Sequence, residues 1–72
     1  HMDSDCIDGT LMPAVDDPSP DGFTWDEARD LLRPVVGHER AVGMQVTIYD
    51  PTADPDGKAG RALAEFLAGV LR

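Results

Sequence analysis

Apolar residues fall into two helical stripes and one short dense run. Ala28, Leu31, Leu32, Val35 and Val36 recur at i, i+3, i+4, i+7 and i+8, the spacing of one helix face. Thr24 and Glu27 just ahead form a T-x-x-E capping box, with Phe23 placed as a staple on the first turn. Pro34 should bend or end this helix near Leu32, with Gly37 as its stop. From Ala41 to Tyr49 the chain is apolar, rich in β-branched residues and short, which predicts a buried parallel strand closed by Asp50-Pro51. A loop from Thr52 to Gly57 comes next, with Asp54 or Asp56 as helix cap and Pro55 suited to a first turn. Ala59, Ala62, Leu63, Phe66, Leu67, Val70 and Leu71 make the second stripe.

The N-terminal segment reads as a short strand ending in D-x-D-x-x-D, at Asp3, Asp5 and Asp8. Between Gly9 and Gly22, Pro13, Pro18 and Pro20 and the lack of periodicity predict an ordered loop. The order is therefore β-α-β-α, an α/β arrangement with parallel strands covered by helices. Two parallel strands supply neither cover on both faces nor neighbours on both edges. The chain thus reads as a β-α-β-α piece of a larger doubly wound parallel sheet, incomplete as a domain.

On a strand, Asp3 and Asp5 would project from the same side. Two carboxylates so close repel unless a cation lies between them or one is protonated. Oxygen ligands of this kind suit hard divalent ions such as manganese or magnesium. The alternative is a plain acidic loop. A calcium loop is excluded, because Ile7 and Asp8 stand where that pattern needs an oxygen ligand and a glycine.

The residues after the acidic triplet decide between these readings. Asp5-Cys6-Ile7-Asp8, then Pro13 and Pro18 at P-x-x-x-x-P spacing, then Asp21-Gly22-Phe23-Thr24 before a helix, resembles the arginase/agmatinase (ureohydrolase) family near the end of its catalytic domain. The D-C-I-D stretch looks most like the agmatinase branch, and Asp21-Gly22-Phe23-Thr24 stands where G-G-L-T is usual. The resemblance covers nearly all 72 residues but only about the last quarter of a family member. It implies an arginase-like three-layer α/β/α fold, with residues 1–72 as a C-terminal fragment of that domain. It also implies a hydrolase acting on linear amidine- or guanidine-type C–N bonds, with two manganese ions bridging a hydroxide.

Asp3 and Asp5 map onto the two metal ligands of the family's D-x-D, whereas Asp8 reads from its place as an acid that hydrogen-bonds the following turn and orients the loop, rather than touching metal. The family's remaining ligands, a His and a D-x-H-x-D cluster, lie upstream of the matching segment. His38, at a helix end, reads as a solvent-exposed residue. His1 is either a group that supports a ligand or a terminal or vector residue. Family members that hydrolyse guanidines carry E-V-N-P after the next strand, where the Glu binds the guanidinium. Ile48-Tyr49-Asp50-Pro51 stands there, so Ile48 replaces that Glu. An isoleucine cannot pair with a guanidinium, and the alternative reading is a noncatalytic structural or assembly module with this fold.

The net charge of −8 argues against nucleic acid, since phosphate binding needs clustered Lys and Arg. No apolar run approaches a membrane span and no signal peptide is visible. Cys6 is the single cysteine, fitting a reducing, cytoplasmic setting, and reads as a small buried residue facing away from Asp5. The expected partners are a small-molecule substrate and either the remainder of the parent domain or further copies of the chain.

Overall fold

The computed structural model describes all 72 residues, His1–Arg72. Strand β1 (Met2–Asp3) leads through a 3-10 turn at Ser4–Cys6 and a long loop to helix α1 (Trp25–Val36). Strand β2 (Val46–Thr47), a 3-10 turn at Pro51–Ala53 and helix α2 (Lys58–Leu71) complete the β-α-β-α order. The strands are parallel, with Met2 opposite Val46 and Asp3 opposite Thr47. No helix is long and apolar enough to cross a membrane.

Helix α1 begins at its capping box. The Thr24 hydroxyl accepts from the Glu27 N–H at 3.1 Å, and the Glu27 carboxylate accepts from the Thr24 N–H at 2.9 Å. Contrary to expectation, Pro34 does not end the helix, which runs on to Val36. In the last turn a proline removes only one intrahelical donor, and the Gly37 N–H closes that turn on the Arg33 carbonyl at 2.9 Å. Phe23 is largely exposed and is held through its backbone opposite Ile7. The two helices pack on each other, with the Trp25 and Phe66 rings tilted at 43° and 5.1 Å apart.

The expected buried strand from Ala41 to Tyr49 shrinks to Val46–Thr47, both half-buried. Only β1 pairs with it, and β1 bends into its 3-10 turn after Asp3, so the ladder ends after two residues. Val42, ahead of β2, is fully exposed. The α1 stripe is likewise only partly used: Ala28 is buried and Leu32 and Val36 are partly covered, while Leu31 and Val35 remain exposed. The surface of 4921 Å² exceeds the roughly 4,400 Å² expected of a compact monomer of this mass.

The core draws on the loop as much as on the regular elements. Met12, Ala14 and Val15 join Met2, Ile7 and Ala28, together with Ala59, Leu63, Phe66 and Val70 of the α2 stripe. The Ala14 carbonyl accepts from the Asp50 N–H at 2.8 Å, tying the loop to the end of β2.

Both acids proposed as caps of α2 serve it. Asp56 accepts from the Lys58 N–H at 3.0 Å, and buried Asp54 from the N–H groups of Ala59 at 3.1 Å and Gly60 at 2.8 Å. Pro55 lies before the helix, not in its first turn, because Gly57 turns the chain with φ of 71° just ahead of Lys58. The Tyr49 hydroxyl donates to Asp54 at 2.6 Å, and a Cβ at Gly60 would lie 2.7 Å from that hydroxyl. The Tyr49 bond, then the Gly60 and Ala59 N–H groups, hold the Asp54 carboxyl below the usual range, while the Asp54 bond raises the Tyr49 phenol.

A depressed folded pKa means that the unfolded chain binds more protons in acid. The Asp54 contribution is complete above the ordinary carboxyl value of about 3.9 and is lost as pH falls through the depressed folded value. Asp8 and Asp50, also depressed, act in the same direction. The melting temperature should therefore drop as pH falls below about 4. Asp54→Asn should lower it at pH 7 and flatten its acid slope, and thermal melts from pH 2 to 7 would show an unchanged slope if Asp54 were not so held.

Candidate functional site

The acidic tip is built by a turn. β1 ends at Asp3, and Ser4–Cys6 form a 3-10 helix, so strand alternation does not place Asp5 beside Asp3 as expected from sequence. Asp3 and Asp5 instead border one open cleft with Cys6, Phe23 and Leu31. Asp5 is exposed, Asp3 is half-buried, and Ser4 between them is buried with its hydroxyl unpartnered. Cys6 is partly buried, and burial first, then the Asp5 charge, push its thiol up.

Two groups engage Oδ1 of Asp3. The Thr47 hydroxyl donates to it at 2.6 Å from the facing position on β2, and His1 Nε2 lies 2.6 Å away. The other His1 nitrogen, Nδ1, lies 2.8 Å from the Gln45 side-chain oxygen. Thr47 first and His1 second hold the Asp3 carboxyl below the usual range, and the Gln45 and Asp3 contacts raise His1.

Asp8 does not line that cleft. Its carboxylate accepts from the Thr10 hydroxyl at 2.6 Å and from the N–H groups of Thr10 at 2.9 Å and Asp21 at 3.0 Å. These bonds, the Thr10 hydroxyl first, depress its pKa and tie the start of the loop to its end. Backbone bonds finish the closure: the Asp8 N–H donates to the Phe23 carbonyl and the Phe23 N–H to the Cys6 carbonyl, both at 2.9 Å. His38 is exposed beyond α1 and takes no part in the tip, its Nδ1 accepting from the Arg40 N–H at 3.1 Å.

Ile48 comes directly after Thr47 with φ of 77°, left-handed backbone that a β-branched residue rarely adopts, and is exposed. Strain of this sort collects where a chain must aim a side chain at a ligand. Sequence reasoning singled out Ile48 but missed Thr47, whose relevance depends on strand register alone.

Such a strand tip, loop and helix recur in known proteins. The arginase family model matches residues 2–71. The chain belongs to the arginase family. Relatives include a formimidoylglutamase of Staphylococcus carnosus, 32% identical over 93% of this chain and 22% of that protein. An N(1)-aminopropylagmatine ureohydrolase of Thermus thermophilus is 33% identical over 97% of the chain and 22% of its own length. The formimidoylglutamase structure from Bacillus subtilis superposes with a TM-score of 0.84 at 26% identity, covering 96% of this chain and 22% of that one. Helicobacter pylori arginase shares the fold, with a TM-score of 0.81 at 24% identity over 97% of this chain and 25% of that one. This arginase-family chain therefore spans about a fifth of the length of the curated relatives it matches.

Metal chemistry in this family member can be tested on its donor set. No three His, Cys, Asp or Glu side chains converge as a metal site within the chain. Asp3 Oδ2, engaged by neither Thr47 nor His1, and the exposed Asp5 carboxylate are donors of the right kind for a hard divalent ion. Two such carboxylates fit a hard ion in kind but are too small a ligand set by themselves.

Gly22 is the residue on which the closure of the tip depends. A Cβ there would lie 2.6 Å from the Asp8 nitrogen and 2.8 Å from the Cys6 carbonyl oxygen, both backbone atoms that cannot swing aside. Gly22→Ala should destabilise the protein by about 1–3 kcal/mol, whereas Gly43→Ala, with nothing within 4 Å of the added carbon, should change it by less than about 0.5 kcal/mol. Urea unfolding of both variants is the check, and equal effects would refute the close approach.

Proposed function

We propose that this chain forms the C-terminal part of the catalytic domain of a binuclear-manganese hydrolase acting on linear, non-peptide C–N bonds of amidine type. The observation that carries the reading is that Asp3, at the end of β1, and Asp5, in the turn after it, border one cleft in a chain of the arginase family. When bound, manganese ions would supply a hydroxide nucleophile near neutral pH by lowering the pKa of a coordinated water. Asp3 and Asp5 would hold them from this side, and Asp8 would keep the loop beneath in place. A small-molecule substrate and a reducing, cytoplasmic compartment complete the proposal.

The substrate class is set by Ile48. Its exposed side chain offers no anion, and a guanidinium in a dry site without a countercharge is costly. Arginine and agmatine are therefore poor substrates, and an amidine whose recognition does not rest on a cation at residue 48 is preferred. The same residue favours a second reading, in which the fold persists as a noncatalytic assembly module.

Three measurements test the proposal. The full-length protein loaded with manganese should release urea from arginine and agmatine slowly, and Ile48→Glu should raise that rate; brisk wild-type release from either substrate would contradict the substrate assignment. The 72-residue chain alone should bind manganese weakly, because two carboxylates make too small a ligand set; submicromolar binding by calorimetry would show that the centre needs nothing else. The exposed Leu31, Val35 and Val42, with a two-stranded sheet open at both edges, should make that isolated chain self-associate, bind a complementary fragment or fold only in part at micromolar concentration. Sedimentation showing a compact monomer, together with amide exchange showing protection in both strands and both helices, would overturn this.

A further inference from the structure

We propose that Thr47 is the positioning residue for Asp3: its hydroxyl fixes one carboxylate oxygen so that the other is presented to the metal. The inference rests on the reading of Asp3 as a ligand and adds a residue on the neighbouring strand to that centre.

Three features of the structure support it. Thr47 faces Asp3 in the parallel ladder, so the backbone itself brings the two side chains together. A carboxylate only accepts, so the 2.6 Å contact has the Thr47 hydroxyl as donor, a charge-assisted bond that favours the ionised form. Thr47 is β-branched and half-buried, with few rotamers open to it, and the left-handed turn at Ile48 ends the strand directly after it. The donor is thereby held at the tip of β2. His1 also bears on Oδ1, at 2.6 Å, but lies on the exposed rim.

A carboxylate free to rotate must lose that freedom on binding an ion, and one already fixed does not. Groups that hydrogen-bond a ligating side chain commonly carry a factor of about 10–100 in metal affinity. Valine has nearly the shape of threonine but no donor, while serine keeps the hydroxyl with less bulk.

The test is manganese affinity of the full-length apoprotein, by calorimetry and by the electron-paramagnetic signal of free ion, for wild type, Thr47→Val, Thr47→Ser and Asp3→Asn. Thr47→Val should bind about 10–100-fold more weakly and Thr47→Ser within about threefold of wild type, with apoprotein melting temperatures little changed. Asp3→Asn should lose most of the affinity. Wild-type affinity in Thr47→Val beside a defective Asp3→Asn would overturn the role of Thr47 and leave Asp3 as a ligand. Undiminished affinity in Asp3→Asn would overturn both. Equal weakening by valine and serine, or loss of the apoprotein fold in both Thr47→Val and Thr47→Ser, would assign Thr47 to packing and overturn the inference.

Discussion

The fold of this chain hangs on one close approach, where the backbone at Gly22–Phe23 lies against that of Cys6–Asp8. Two backbone hydrogen bonds join these stretches, and the Asp8 carboxylate adds bonds to both ends of the loop between them. The contact sets the α1 capping box at Thr24 immediately beyond the acidic turn. It also folds the loop inward, so that Met12, Ala14 and Val15 fill the space between strand and helices. Closing a loop of this length costs entropy that grows slowly with length, and the buried apolar side chains of the loop offset it.

In a chain with a net charge of −8, the carboxylates divide by what satisfies them. Asp8, Asp50 and Asp54 accept from N–H groups and a neighbouring hydroxyl, and each stabilises a turn or a helix start. Their negative charge is already answered within the fold. Asp5 is open to solvent and Asp3 is held through a single oxygen, so the tip keeps donor capacity that the structural acids have spent. Acidity in the composition says nothing of this division, which hydrogen bonding alone reveals.

Leu31 and Val35 on α1 and Val42 ahead of β2 are apolar residues without cover, and neither strand has a second neighbour. The match to solved arginase-fold structures extends over about a quarter or less of each.

Local chemistry was legible without the structure. The capping box at Thr24 and Glu27, the α2 stripe ending in Phe66 and Val70, the acids before α2 and the β-α-β-α order all depend on spacing within one turn or one stretch, which the sequence by itself determined. The acidic motif, read with the prolines after it, sufficed to indicate the family. Tertiary structure decided whatever required a neighbour distant in sequence. It gave ladder pairing to Val46–Thr47 alone of the Ala41–Tyr49 run. It carried α1 past Pro34, turned Asp5 out of the strand and put loop residues into the core. It placed Thr47 against Asp3 because register, which no single strand encodes, chooses the facing residue.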